Sequence, residues 1–273
     1  MSLGTWSRTI LMRNMKDRLY IATFSEDAVG QARKYGVGLE INHTCISEEL
    51  DPERRKELLS QIRNDAEMAG VTDTSSLLLH GPFTEIHPAG IDYRAREFAM
   101  ERLEQAYEVV SELGIKKMIV HTGWLPFIYF KEWQAEKGAI FWEKFMAGKP
   151  ADFTICVENV LEDEPFMLLD MMKRIEDPRV KLCIDVGHAN AMTQDGVSVE
   201  KWIETLAPYI GHFHLHNNDG TGDSHSAFDK GSLDMERILK LIDELCSPDV
   251  TLTIEARDAA SCLEWLAVRG FFK

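Results

Sequence analysis

Residues 212–225 read HFHLHNNDGTGDSH, four histidines and two aspartates within fourteen positions, set between an apolar approach and a helix-like stretch. Elsewhere in the chain, short apolar runs end in the same residue types just before a turn signal. His80 precedes Gly81-Pro82, His121 precedes Thr122-Gly123, Glu158 precedes Asn159, Asp185 and His188 flank Gly187, His214 leads into the HNND stretch, and Glu255 precedes Ala256-Arg257. Imidazole nitrogen mixed with carboxylate oxygen suits zinc, manganese or a related divalent ion, whereas a site for magnesium alone is mostly oxygen. Carboxylates gathered in a partly desolvated pocket cannot all stay ionised unaided, because an unpaired buried charge is costly or neutralises itself by shifting its pKa. A divalent cation supplies the compensation. One strand-end histidine is ordinarily a hydrogen-bonded structural residue and one glutamate an ion-pair partner; six strand ends behaving alike point to a shared centre. His216 lies on the same face as His214, so it either replaces His214 as a ligand or touches substrate. His43, His87 and His212 fall outside the pattern and read as ordinary polar residues.

The residues are carried by eight β-like runs: LYIATF (19–24), GVGLEIN (36–42), SLLLHG (76–81), KMIVHTG (117–123), TICVEN (154–159), KLCIDVGH (181–188), GHFHLHNN (211–218) and TLTIEA (251–256). Between them lie stretches of helical period, such as PERRKELLSQIRNDAEMAG and YRAREFAMERLEQAYEVVSELG, the second ending in Gly114 where a helix C-terminus favours glycine. Eight strands alternating with helices predict a single-domain α/β protein, the (β/α)8 TIM barrel, because doubly wound sheets usually stop at about five or six strands. No glycine-rich phosphate loop follows any strand. Residues 1–18 read as an N-terminal extension and 19–273 as the barrel. Period-two alternation sets direction: Ile155 and Val157 oppose Cys156 and Glu158, Leu182 and Ile184 oppose Cys183 and Asp185, and Leu252 and Ile254 oppose Thr253 and Glu255. With the aliphatic face against the helices, the polar set enters the barrel mouth.

The 273 residues carry a net charge of −15. Such a field repels nucleic-acid backbones unless bound cations reverse it locally, and no basic stripe stands out; nucleic acid is therefore an unexpected partner and a small molecule the expected one. The five cysteines show no metal-binding spacing, and Cys156 and Cys183 sit in apolar runs. No apolar run is long enough to span a membrane, and the first residues lack the order of a secretion signal, which predicts a cytoplasmic protein. The interval 124–150 concentrates Trp124, Phe127, Tyr129, Phe130, Trp133, Phe141 and Trp142 after the fourth run. It reads either as a helix covering the barrel or as a lid over its mouth.

The series LLLHGP, IVHTG, CVENV, CIDVGHAN, HFHLHNNDG…DSH and TIEA resembles the xylose isomerase-like TIM-barrel superfamily, from about residue 19 to 256. That superfamily contains sugar (phosphate) isomerases and epimerases together with endonuclease IV-type enzymes of AP endonuclease family 2. The resemblance implies a core metal site at Glu158, Asp185, His214 and Glu255. The three-ion arrangement of the endonuclease type would add His80, His121, His188, Asp223 and His225. The endonuclease pattern has an aspartate at Asn217, an arginine at Ser224 and a Gly-x-Gly stretch at Asp229-Lys230-Gly231, so the match departs where that type meets phosphate.

Two chemistries follow from the resemblance. As an isomerase or epimerase in carbohydrate metabolism, the protein would use zinc or manganese to polarise a sugar, sugar phosphate or polyol while Glu158 and Glu255 shuttle a proton. His188, Arg257 and His216 would orient substrate oxygens, and Trp124 would stack on the sugar face. As a phosphodiesterase acting on abasic DNA, it would use two or three zinc ions held by the full set. Glu158, Asp185, Asp223 and Glu255 carry −4, so one divalent ion leaves −2 and three give +2, a field suited to phosphate. The isomerase or epimerase is the preferred expectation.

Overall fold

The computed structural model describes residues 15–193 and 196–271. Eight parallel strands close into a barrel in chain order: β1 (Leu19–Ala22), β2 (Gly38–Ile41), β3 (Leu77–His80), β4 (Lys117–His121), β5 (Thr154–Glu158), β6 (Val180–Asp185), β7 (Ile210–Leu215) and β8 (Thr251–Ile254), with β8 pairing back onto β1. Each of the eight predicted runs overlaps one of these strands, and β6 and β7 begin one residue before their runs, at Val180 and Ile210. Around them lie α1 (Ala28–Tyr35), α2 (Pro52–Ala69), α3 (Tyr93–Leu113), α4 (Lys131–Met146), α5 (Phe166–Arg174), α6 (Val186–Met192), α7 (Val199–Leu206), α8 (Met235–Leu245) and α9 (Ala259–Val268). The protein is a (β/α)8 TIM barrel. Among the described residues no helix is long and apolar enough to cross a membrane.

Alternation along the strands builds two cores. Ile155, Val157, Leu182, Ile184, Leu252 and Ile254 face outward and join the layer between sheet and helices, while Tyr20, Leu78, Ile119, Cys156 and Cys183 form a separate plug inside the barrel. The strand ends above that plug are the interior positions left for polar groups. Register then makes neighbours of residues distant in sequence: His121 pairs with Glu158, and Asp185 with His214. Gly38 shows how tightly the interior is filled, since a Cβ there would lie 2.4 Å from the Tyr20 ring and 2.6 Å from the Ser76 carbonyl oxygen.

The aromatic interval divides in two. Phe141, Trp142, Phe145 and Met146 on α4 are buried in the core. Phe127, Ile128 and Phe130, in the loop before it, are exposed, and Phe127 adopts a left-handed backbone with φ of 67°. Of the predicted N-terminal extension, residues 1–14 lie outside the described residues. Met15 is buried at the foot of the barrel, its N–H donating to the Phe271 carbonyl, and the Arg18 guanidinium pairs with Asp243.

Candidate metal centre

Each side chain of the centre is placed by a strand end or by the loop that follows it. Asp185 ends β6 and caps α6 at once, its carboxylate accepting from the His188 N–H at 2.6 Å. That tight strand-to-helix passage brings His188 back over the mouth. Its Nδ1–H donates to the Asn159 carbonyl oxygen at 2.9 Å, leaving Nε2 to face Asp223 Oδ2 at 3.3 Å. Gly187 makes room for the neighbouring strand: a Cβ there would sit 1.9 Å from the His216 ring. The β7–α8 loop folds back on itself through paired backbone bonds between Asn217 and Ser226. Asn217 also ties the loop's far side, its amide donating to the Phe228 and Leu233 carbonyls. His225 then turns inward with φ of 47°, a conformation that costs energy for a residue bearing a Cβ. Its Nδ1–H donates to the Glu255 carbonyl oxygen at 2.8 Å, and Nε2 approaches Asp223 Oδ2 at 3.1 Å.

Among the described residues five overlapping groups of ligand atoms form, two of them (Cys183, His212 and His214; Glu40, His80, His214 and Glu255) reaching down into the barrel and three adjoining one another along the rim. His80, His121 and Glu158 form one; Glu158, Asp185, His214 and Glu255 form a central one; His188, His216, Asp223 and His225 form the third, with the ligand atoms of each group within 4.8 Å of one another. Glu158 links the first two, with Oε2 3.3 Å from His80 Nε2 and 3.4 Å from His121 Nε2, and Oε1 3.2 Å from His214 Nδ1. Asp185 links the central and third groups. Its Oδ2 is 3.9 Å from His214 Nδ1, and its Oδ1 is 3.0 Å from His216 Nε2. The nine residues of the expected metal set therefore converge on one rim.

The donor set suits an ion. His214 Nδ1, Asp185 Oδ2 and both ring nitrogens of His216 are buried with no hydrogen-bond partner among the described residues, although His214 Nδ1 lies near Glu158 and near Asp185 Oδ2, and His216 Nε2 lies near Asp185 and Asp223. Buried polar atoms are almost always satisfied. Lone pairs that approach closely without hydrogen-bond alignment instead converge on a common point, as metal ligands do. Electrostatics agree. Burial pushes the Glu158 carboxyl up, but His214, His121 and His188 outweigh it and hold the group well below the usual carboxylate range. Burial raises Glu255, and the nearby Glu158, Glu40 and Asp185 carboxylates add to that rise against the pull of His214. Burial lowers His121 to about 3, whereas the Asp223 hydrogen bond and the Glu255 and Asp185 charges overcome burial and lift His225 to about 9.

Above the centre opens a cavity of about 490 Å³. Phe24, Asn42, Cys45, Ile46, Phe83 and Val160 line it together with His80, His121, Glu158, His188, Asp223, His225 and Glu255, and among the described residues its lining includes no lysine or arginine. The expected substrate contacts divide. His188 reaches this cavity. His216 is fully buried in the third group, separate from the position of His214. Trp124 lines a neighbouring cavity with Phe127, Tyr129, Leu161 and Met192, its indole N–H donating to the Tyr129 carbonyl oxygen at 2.9 Å. Arg257 is exposed, and its backbone N–H donates to the His225 carbonyl oxygen. Neither Trp124 nor Arg257 is among the residues lining the cavity over the centre.

Two residues escaped the strand-end pattern. Glu40, buried mid-strand on β2, lies 3.1 Å from His214 Nε2 through its Oε1. Alternation in GLEI, with Leu39 and Ile41 facing out, carries the signal that places it inside. Cys45 Sγ lies 3.5 Å from His80 Nδ1 at the cavity rim, and a lone cysteine in a loop carries no such signal. His43 and His87 lie outside the centre, against Asp65 and the Gly123 carbonyl oxygen. His212 is interior, below His214.

The chain matches the xylose isomerase-like TIM barrel family over residues 30–267 and belongs to it. A relative from Methanocaldococcus jannaschii, the uncharacterized protein MJ1311, is 28% identical over 202 residues, covering 70% of this chain and 68% of that protein. Among solved structures, a D-tagatose 3-epimerase-like protein superposes with a TM-score of 0.71 at 19% identity, covering 93% of this chain and 96% of the other. An AP endonuclease of family 2 from Brucella melitensis gives 0.68 at 15%, covering 92% and 98%. At such identities the likeness is one of fold.

Proposed function

We propose that the protein is a divalent-metal-dependent isomerase or epimerase acting on a small uncharged sugar or related polyol. The observation that carries the reading is the placement of Glu158 and Glu255, which approach His214 Nδ1 to 3.2 and 3.4 Å beneath the same cavity. A zinc or manganese ion held by Glu158, Asp185, His214 and Glu255 would polarise a substrate carbonyl. The two carboxyl groups have unlike environments, and such divergence is how paired groups divide acid and base roles. Glu158, held ionised by its imidazole neighbours, takes the proton from the carbon beside the carbonyl. Glu255, on the other side of the same ligand position, would return one to the opposite face. The apolar rim of Phe24, Ile46 and Phe83 shields the exchange from water, and a cavity of about 490 Å³ fits a small ligand. With no lysine or arginine among the described lining residues and His188 and His225 engaged with Asp223, an uncharged substrate is favoured over a phosphorylated one.

The test is deuterium uptake from heavy water at the carbon beside the carbonyl, across a panel of ketoses, with manganese or zinc supplied. Glu158→Gln and Glu255→Gln are each expected to slow exchange by about 10²–10⁴-fold. Full activity in either variant contradicts the acid and base roles.

A second reading is favoured by one observation, the two further ligand groups on either side of the central one. If all three groups hold zinc, Glu158 is engaged as a bridge and the chemistry becomes phosphoester hydrolysis, as on abasic DNA. Elemental analysis separates the readings: three ions per chain together with nicking of abasic DNA replaces the first reading, and a single ion without nicking supports it.

A further inference from the structure

We infer that Glu40 is a positioning residue for the central ligand group, fixing His214 in the tautomer that carries its proton on Nε2 and presents a bare Nδ1 to an ion. The inference rests on the metal-dependent reading above. It follows from a line of hydrogen bonds through the barrel interior whose direction is set by a donor-only lysine at one end and an acceptor-only carboxylate at the other. Lys117 Nζ can only donate, and it lies 2.7 Å from Thr251 Oγ1. Thr251 accepts there. Thr253 spends its proton on Glu40 Oε2 and so takes the hydrogen of His212 Nε2, which leaves the neutral His212 with a bare Nδ1. That nitrogen receives the Thr251 proton at 2.6 Å, nearer than the Gly211 carbonyl oxygen at 3.4 Å. With Nδ1 accepting, His212 keeps its proton on Nε2 and donates it to Thr253 Oγ1 at 3.0 Å. Thr253 in turn donates to Glu40 Oε2 at 2.6 Å. The carboxylate now accepts from below, and its other oxygen faces His214 Nε2 at 3.1 Å.

A carboxylate offers only lone pairs, so His214 Nε2 must carry the hydrogen. The remaining nitrogen, Nδ1, is the buried atom left without a hydrogen-bond partner, and it points toward Glu158, Asp185 and Glu255. Residues that hold the far nitrogen of a ligating imidazole fix its tautomer and raise its basicity. Glu40 holds His214 in this way, and Thr253 and His212 hold Glu40. An amide at position 40 would remove the carboxylate charge and turn an NH2 toward either Thr253 or His214, leaving His214 Nε2 at best the longer 3.3 Å contact with the oxygen that already accepts from Thr253 at 2.6 Å.

The experiment reads the His214 tautomer in the metal-free protein by nitrogen-15 NMR, then titrates manganese or zinc into wild type and Glu40→Gln. Burial opposes charge on His214, but the carboxylates on both sides of it favour its doubly protonated ring in the metal-free protein, so the spectra are followed to a pH at which the ring is neutral, where wild type is expected to show the Nε2-protonated tautomer. Glu40→Gln is expected to lose that signature and to bind the central ion about 10–100-fold more weakly, with Glu40→Asp recovering part of the loss. A neutral wild-type ring whose proton sits on Nδ1, or an affinity in Glu40→Gln within twofold of wild type, overturns the inference. The tautomer is read on unaltered protein, so a poorly folding variant does not decide the matter. Normal ion binding without deuterium uptake on any ketose would remove the isomerase reading and leave the role of Glu40 standing.

Discussion

The two flanks of the centre are built differently. On one side His80, His121 and Glu158 end β3, β4 and β5, whose positions are set by ladder hydrogen bonds and by the aliphatic layer outside them. On the other, His188 rides a seven-residue helix while Asp223 and His225 hang from a loop folded back on Asn217 and Ser226. Strand ends are held by every bond of the barrel. Loop ligands depend on a few local contacts and on a strained backbone at His225. The difference separates a rigid flank from one that can be altered without disturbing the barrel, and each of the following experiments bears on it.

The largest effect is expected where the flanks meet. Glu158→Gln weakens the strand flank and the central group together, and beyond its effect on exchange it should lower metal content at both. A variant that keeps full metal content would show that Glu158 is not the shared ligand. The third group should respond differently, as the pH dependence shows.

Imidazoles ligate only when neutral, so metal binding competes with their protons. On the loop flank His225 is lifted to about 9, and His188 is raised well above its ordinary value, chiefly by Asp185 once burial is overcome. Both must shed a proton to bind. On the strand flank His121, lowered to about 3 by burial, is already neutral at pH 7, and only His80 is raised. Loop-flank affinity should therefore climb about tenfold per pH unit per proton between pH 6 and 8.5, with more proton release than at the strand flank. Calorimetry in buffers of different ionisation heat measures this, and equal release at both flanks would erase the distinction. The metal-free protein carries the corresponding signs. The raised pKa of His225 gives stability that is complete below about pH 6.5 and lost as pH rises through about 9. The lowered pKa of His121 gives stability present above about pH 6.5 and lost as pH falls toward 3.

A smaller effect is expected at Gly187, where a methyl group would meet the His216 ring at 1.9 Å. Gly187→Ala should cost about 1–3 kcal/mol, as overpacking of a filled interior does, and lower Tm by several degrees while loosening the loop flank. An unchanged Tm would mean that the ring has room to move. The smallest effect belongs to Phe127, exposed and left-handed beside the neighbouring cavity. Phe127→Ser should shift stability by no more than about 0.5 kcal/mol and leave kcat/KM within twofold. A marked rise in KM would instead make that loop a lid.

The strand flank was legible in advance because a parallel barrel imposes period two on its strands, so Glu158 and Asp185 could be oriented from their neighbours alone. His80, His121, Asp223 and His225 were marked by composition together with the family resemblance. Glu40 was missed because it lies mid-strand and not at an end, although the same alternation applied to GLEI would have turned it inward. The linear order of residues thus dictated which side chains enter the barrel, since alternation is a local property of an extended chain. Which of them meet depended on barrel closure. Only the inter-strand register sets Glu158 beside His121, only closure of the barrel brings Glu40 on β2 beneath His214 on β7, and only the fold of the β7–α8 loop draws His216 into a group with His225. Those contacts join residues up to 174 positions apart, and distances across such separations are set by packing, which no local pattern records.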